Sequence, residues 1–207
     1  SFYLLMNKLV FSSFKFEKIN YQLGFDSKIE YAQGERIDNN ERKLGDHAIY
    51  FSSKWSPSSL FAFKPALRLS YNSKFKVPII PSLNMILKKN QYSFRFSYAK
   101  GFRSPSLSEL FLQYESDYGL NTQGNPNLEP EQLFGLDISY DRSNLSSMTF
   151  SASTFYYRYE DMIDFVYGLP VIALNRSDIS SCGFETNLSY AYHTNLNFDL
   201  GIAIIGE

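Results

Sequence analysis

The chain has 207 residues, a net charge of −1 and one cysteine, which gives no electrostatic case for nucleic acid and rules out an internal disulfide. Aromatic residues reach 17%, yet no stretch approaches the ~18 uninterrupted apolar residues of a membrane-spanning helix. A soluble β-domain carries such a composition, and so does a membrane barrel, in which only alternate residues of each strand meet lipid.

Along the chain the dominant signal is alternation with period two. A strand is expected at 5–13. Over 21–31, Tyr21, Leu23, Phe25, Ile29 and Tyr31 oppose Gln22, Asp26, Lys28 and Glu30. A further strand is expected at 47–55. Over 61–71, Phe61, Phe63, Leu67, Leu69 and Tyr71 oppose Ala62, Lys64, Ala66, Arg68 and Ser70. Leu83, Met85 and Leu87 oppose Ser82, Asn84 and Lys88. The pattern is clearest at 92–99, where Tyr92, Phe94, Phe96 and Tyr98 oppose Ser93, Arg95 and Ser97. Phe134, Leu136, Ile138 and Tyr140 oppose Gly135, Asp137 and Ser139. Strands at 148–159 and 174–181 follow. Phe184, Leu188, Tyr190 and Tyr192 then oppose Glu185, Asn187 and Ser189, and Leu196, Phe198, Leu200, Ile202 and Ile204 oppose Asn197, Asp199 and Gly201. The count is about ten strands, all-β, joined as antiparallel neighbours. Cys182 reads as a small strand residue.

The connections alternate in length. Short ones fall at 16–20, 56–59, 88–91, 141–147 and 193–195, and long ones at 32–46, 72–78, 101–132 and 160–173. A membrane barrel sorts its turns and loops in this way. The same alternation fits a soluble sandwich with its apolar faces turned inward, and periodicity does not separate the two. In the barrel reading Phe94, Phe96, Leu136, Ile138, Leu188 and Leu200 share a convex face, and Arg95, Asp137, Glu185 and Asp199 a concave one. Tyr71, Tyr98, Tyr140, Tyr156, Tyr157 and Tyr159 fall near the long-loop ends or mid-strand, and Trp55, Tyr92 and Tyr192 near the short turns. Rings of this kind, apolar with polar tips, suit a membrane interface.

Catalytic chemistry has little footing. His47 and His193 are far apart, and no nucleophile elbow, phosphate loop or zinc-ligand spacing is present. A Ser/His hydrolase acting on lipid needs a His beside a Ser on one lipid-facing edge, and the sequence offers no such pair. Neither a cofactor nor a metal is called for, and no catalytic residue is assigned. The segment 32–46 is rich in oxygen ligands but lacks the spaced calcium-loop pattern, so it reads as a solvated, salt-bridged outer loop.

The most informative stretch is 100–131. Gly101 and Pro105 are expected to break the β-ladder. Ser106 can cap one helical turn, with Glu109 in the capping-box position. Gly124-Asn125-Pro126 is turn chemistry, and Pro130 ends the loop. Between these lie Tyr114, Glu115, Asp117, Tyr118, Asn121 and Gln123, which the turns at either end do not need. Aromatic rings among amides and carboxylates suit a bulky polar ligand, so these six are the candidate ligand-binding residues. One helical turn places Tyr114 and Tyr118 on the same side.

Two segments of this stretch also carry a resemblance. Gly101-Phe102-Arg103-Ser104-Pro105-Ser106-Leu107-Ser108-Glu109-Leu110-Phe111, followed by Gly124-Asn125-Pro126-Asn127-Leu128-Glu129-Pro130-Glu131, resembles the barrel of TonB-dependent outer-membrane receptors. Asn175 followed by Gly183-Phe184-Glu185 is similar to a strand found late in those barrels. The resemblance implies a transmembrane antiparallel up-and-down barrel of roughly 22 strands, plugged by an N-terminal domain. Residues 1–207 are then an internal part of one barrel domain, an incomplete wall without the plug or the terminal strands. The implied function is outer-membrane uptake of a scarce nutrient such as a ferric siderophore, cobalamin or a glycan, not catalysis. The implied partners are outer-membrane lipid, the plug, the TonB energy-coupling complex and the small-molecule nutrient. Gly101, Phe102, Arg103, Ser104, Pro105, Glu109, Leu110, Gly124, Asn125, Pro126, Leu128, Pro130 and Glu131 are expected to shape the loop. A passive porin and a soluble β-sandwich binding module are the alternatives.

Overall fold

The alternating stretches form strands that pair in chain order. The computed structural model describes residues 1–16, 18–115, 121–143, 147–168, 170–193 and 196–207. Ten strands make one antiparallel sheet: β1 (Phe2–Phe16), β2 (Ile19–Gln33), β3 (Glu41–Trp55), β4 (Phe61–Asn72), β5 (Ile80–Lys89), β6 (Tyr92–Arg103), β9 (Glu131–Ser143), β10 (Met148–Glu160), β13 (Ile179–His193) and β14 (Leu196–Gly206). Each pairs with the next of these in sequence, and the sheet does not close on itself. This is an incomplete barrel wall.

The register fixes the two faces. Phe96 stands opposite Ile138, Ile138 opposite Thr154, Thr154 opposite Phe184 and Phe184 opposite Ile204. Leu188 and Leu200 are partners, as are Phe94 and Tyr140. On the other face Arg95 opposes Ser139, Ser139 opposes Ser153 and Ser153 opposes Glu185. Ion pairs Arg68–Asp26 and Arg95–Asp141 cross this polar face. Gly183 lies under the Phe155 ring, where a Cβ would come within 2.6 Å of the ring carbons.

Among the described residues nothing covers the apolar face. Leu9 is 71% exposed, Ile49 57%, Leu200 60% and Ile204 67%, and their neighbours in the rows are similar. A soluble sandwich would bury these residues against a second sheet. A contiguous apolar face of this size requires a non-aqueous neighbour.

The buried core lies at one end of the wall. There a single-turn helix α1 (Leu107–Phe111) joins a small sheet in the order β11-β12-β8-β7, made of β7 (Gln113–Tyr114), β8 (Thr122–Gln123), β11 (Ile163–Val166) and β12 (Val171–Asn175). Leu110, Leu128, Ile163 and Ala173 form one buried cluster, and Ala32, Leu44 and Leu107 a second that fastens α1 to β2 and β3. All four long connections, 34–40, 73–79, 104–130 and 161–178, leave the wall at this end, and the short ones leave at the other. Asn90, in the short β5–β6 turn, takes φ 53°, a left-handed conformation that asparagine tolerates.

Several boundaries differ from expectation. Gly101 does not break the ladder: β6 runs on to Arg103, with Gly101 opposite Leu133. Buried Pro105 follows the end of the strand. The expected loop 32–46 shrinks to 34–40, because Glu41 and Asp46 belong to β3 and pair with Gln33 and Lys28 of β2. Residues 174–181 are not one strand, since Leu174 and Asn175 end β12 and β13 starts at Ile179. Tyr140 stacks on Tyr92 at 6.3 Å, toward the short-turn end rather than the loops. Tyr157 faces the polar side, where its hydroxyl donates to Asp137 Oδ1 at 2.5 Å.

Candidate functional site

The motif loop begins where β6 hands over to α1. Ser104 Oγ donates to Asp46 Oδ2 at 3.3 Å, tying the exit of β6 to β3. Ser106 caps α1 with both halves of a capping box, its Oγ accepting from Glu109 N at 3.3 Å and its own N–H donating to Glu109 Oε2 at 2.8 Å. Leu107 and Leu110 point into the two clusters and are fully buried. Leu107 N donates to Glu30 Oε2 at 3.3 Å.

Arg103 is the hub. Its Nε and Nη2 donate to the two oxygens of Glu131 at 2.5 and 2.7 Å, and Nη1 donates to Glu109 at 3.0 Å. Such bidentate pairing fixes orientation as well as distance. Glu131 Oε1 also accepts from Ile163 N at 2.7 Å. One guanidinium thereby links β6, α1, β9 and β11. Burial alone pushes the Glu109 carboxyl up, but hydrogen bonds from Arg103 and Ser106 outweigh it and hold it below the usual carboxylate range.

The second motif segment locks onto the first. Gly124 N donates to Leu112 O at 2.6 Å, and Asn125 N to Glu109 O at 2.8 Å. Asn125 Nδ2 donates to Ala173 O at 3.0 Å, and its Oδ1 accepts from Asn127 N at 3.0 Å, the Asx geometry expected of a turn. Pro126 O accepts from Lys74 Nζ at 2.9 Å, and Leu128 is buried beside Leu110. Asn175 closes the arrangement: Oδ1 accepts from Glu129 N at 2.8 Å, and Nδ2 donates to Glu129 O at 2.9 Å and Asp161 O at 2.6 Å. Phe102 lies opposite Gln132 in the β6–β9 ladder, and Pro130 directly precedes β9.

Sequence reading missed the cations around Phe111. Arg42 stands 4.4 Å and Lys74 5.1 Å from its ring centroid. Burial, reinforced by Arg42, pushes the Lys74 ammonium pKa down. Phe111 sits inside a motif, but its partners come from β3 and the 73–79 connection, and no local pattern marks them.

Of the six candidate ligand residues, four come together. Tyr114, Glu115, Asn121 and Gln123 line an open pocket of about 340 Å³ with Gln113, Thr122 and Pro170. Tyr114 belongs to strand β7 rather than to a helical turn, because α1 stops at Phe111. Arg36 packs over its ring at 4.7 Å. Asp117 and Tyr118 lie outside the described residues.

The expectation that no Ser meets a His also needs correction. Ser27 Oγ and His47 Nδ1 are 2.9 Å apart, and both side chains lie on the apolar face of the wall. Their sequence separation conceals the pairing, which only the β2–β3 register creates. The His47 ring stacks on Tyr71 at 6.4 Å, and among the described residues no carboxylate orients it as a general base. Among the described residues no cluster of potential metal ligands forms.

The family description "TonB dependent receptor-like, beta-barrel" matches residues 10–204. The chain belongs to this family. TonB-dependent receptors are outer-membrane transporters rather than enzymes, and the incomplete barrel wall sets aside the sandwich alternative. Among solved structures, the siderophore receptor PirA from Pseudomonas aeruginosa superposes with a TM-score of 0.79 at 17% identity, covering 99% of this chain and 42% of that one. PirA from Acinetobacter baumannii gives 0.72 at 14% identity, covering 99% and 36%. A mutant of the ferric enterobactin receptor PfeA from Pseudomonas aeruginosa gives 0.75 at 14% identity, covering 99% and 35%. At such identities the likeness shows the fold. This chain of the TonB-dependent receptor family thus spans less than half the length of these structures. No protein of curated function matches the sequence.

Proposed function

We propose that the chain is part of the barrel domain of an outer-membrane receptor that takes up a scarce nutrient, with a ferric siderophore as the leading class. The observation that carries this reading is the single-layer wall. Its apolar face is uncovered, and one of its ends carries a folded cap built by the family motifs. The named relatives are siderophore and ferric enterobactin receptors, which favours an iron chelate over cobalamin or a glycan. In this reading the apolar face meets lipid and the polar face meets the plug of the full-length protein. The TonB complex supplies the energy through a segment outside these residues. The cap faces outward, and the motif residues from Gly101 to Glu131 hold it in shape rather than touch ligand.

Orientation is testable on intact cells. In a Cys182→Ser background, which removes the exposed native thiol, single cysteines at Asn39 or Gln123 should react with a membrane-impermeant maleimide. Cysteines at Ser58 or Asn90, in the short connections, should stay unlabelled. Labelling at Ser58 would invert the assignment.

The ligand surface is assigned to the pocket of Tyr114, Glu115, Asn121 and Gln123. A half-buried ring beside amides and a carboxylate supplies apolar area and polar contacts for a bulky ligand. Replacing Tyr114 and Gln123 together by Ala in the full-length receptor should weaken ferric-siderophore binding by more than tenfold, about 1.4 kcal/mol. Unchanged affinity in a well-folded double variant would move the site to other loops.

A further inference from the structure

A polar row crosses the apolar face of the wall near its cap end. The register places Asn7 opposite Ser27, Ser27 opposite His47 and His47 opposite Tyr71. On the short-turn side the next row outward is Leu9, Phe25, Ile49 and Leu69, and on the cap side it is Leu5, Ile29 and Gly45. Polar side chains set among lipid-facing apolar ones are costly unless they meet a polar partner.

The row has internal order. The Ser27 bond uses His47 Nδ1, at 2.9 Å, and the ring lies parallel to Tyr71 with an interplanar angle of 13°. Gly45 leaves room for this pose, since a Cβ there would stand 3.3 Å from His47 Nε2. The ring therefore leans toward the cap end, with Nε2 on the side of Lys43. Lys43 sits two residues beyond Gly45 on the same face, opposite Tyr31, and forms no ion pair among the described residues. The Asn7 amide, the Tyr71 hydroxyl and the Lys43 ammonium thus form a strip of donors around the His47 ring, and the carboxylate of Glu41, the next residue on this face, is engaged by the Tyr31 hydroxyl.

Depth decides what meets it. A membrane strand crosses in about 9–11 residues, whereas β2 and β3 each have 15. Trp55, packed edge-on against Phe63 at 4.9 Å, marks the short-turn margin. About ten residues from Trp55 the strand reaches Gly45, so the row lies where acyl chains give way to headgroups. We propose that Asn7, Ser27, His47 and Tyr71, with Lys43 above them, seat the phosphorylated headgroup of an anionic outer-leaflet lipid. This rests on the outer-membrane reading given above. Hydrogen-bond donors and the Lys43 cation at that depth complement phosphate oxygens, and Leu9, Phe25, Ile49 and Leu69, on the short-turn side of the row, take the acyl chains.

The test uses the full-length receptor, purified in neutral detergent and titrated with diphosphorylated lipid A or its dephosphorylated form, with bound lipid read by native mass spectrometry. Wild type should retain the phosphorylated lipid at least fivefold better than the dephosphorylated one. The variant S27A/K43Q/H47L should lose that preference while keeping nutrient binding. Equal retention of both lipids by wild type, or an unchanged preference in the variant, overturns the site. If the triple variant does not fold, Lys43→Gln alone should still lower the preference at least twofold, and no change there overturns it equally. Failure of wild type to insert into phosphatidylcholine vesicles instead removes the outer-membrane reading, and the lipid site with it.

Discussion

Arginine at Phe96 or Ile138 should destabilise the full-length barrel in lipid by about 2–4 kcal/mol, the cost of a cation near the bilayer midplane. The two positions are direct cross-strand partners near the middle of β6 and β9. They lie between the Tyr92–Tyr140 stack and the Tyr98–Phe134 edge contact, at ring distances of 6.3 and 5.5 Å. Thr154 and Phe184 continue their row, so a guanidinium there finds no nearby carboxylate. Ser97, one residue along β6, faces the other way and lies opposite Asp137. Arginine at Ser97 should cost little, because it reaches the polar face and a carboxylate. Denaturant titrations of folding into vesicles measure both. Equal losses at 96 and 97 would remove the lipid-facing assignment.

The wall was legible in the sequence because a strand writes its two faces as alternation, and next-neighbour pairing needs no long-range information. Phe94, Phe96, Leu136 and Ile138 were assigned to one face on this ground, and the register agrees. The loop motif was legible at its ends, where Ser106 and Glu109 form the capping box. Strand ends were not. Gly101 looks like a breaker, yet it pairs with Leu133, and Glu41 reads as loop although it pairs with Gln33. Charge and glycine mark solvent or curvature, and both occur inside strands that run on into the cap. The least legible features join distant segments: Arg42 and Lys74 on Phe111, Asn175 on Glu129, and Ser27 on His47. Each depends on which strands lie side by side and in what register, and the local pattern around each residue carries no trace of it.

Alanine at Gly124 should open the cap while leaving the wall intact. A Cβ there would stand 2.6 Å from Leu110 C and Phe111 N and 2.7 Å from Leu112 N, all backbone atoms. Backbone at the end of α1 cannot swing aside as a long side chain can, so the two motif segments must part. Overpacking of this kind costs about 1–3 kcal/mol. Parting them strains the Gly124 N to Leu112 O and Asn125 N to Glu109 O bonds and pulls Leu128 from its cluster with Leu110, Ile163 and Ala173. Proteolysis of the full-length receptor in detergent should then cleave within 104–130 at least tenfold faster than in wild type. The heat-resistant electrophoretic mobility of the barrel should not change. Gly168→Ala is the control, because its nearest neighbour, Pro170 O, is at an ordinary 3.5 Å. Gln123 adjoins Gly124 and lines the proposed ligand pocket, so siderophore affinity should fall together with protease resistance. Wild-type protease resistance in Gly124→Ala would mean that the two motif segments are not held by this contact. Loss of resistance with full affinity would place the ligand away from the cap.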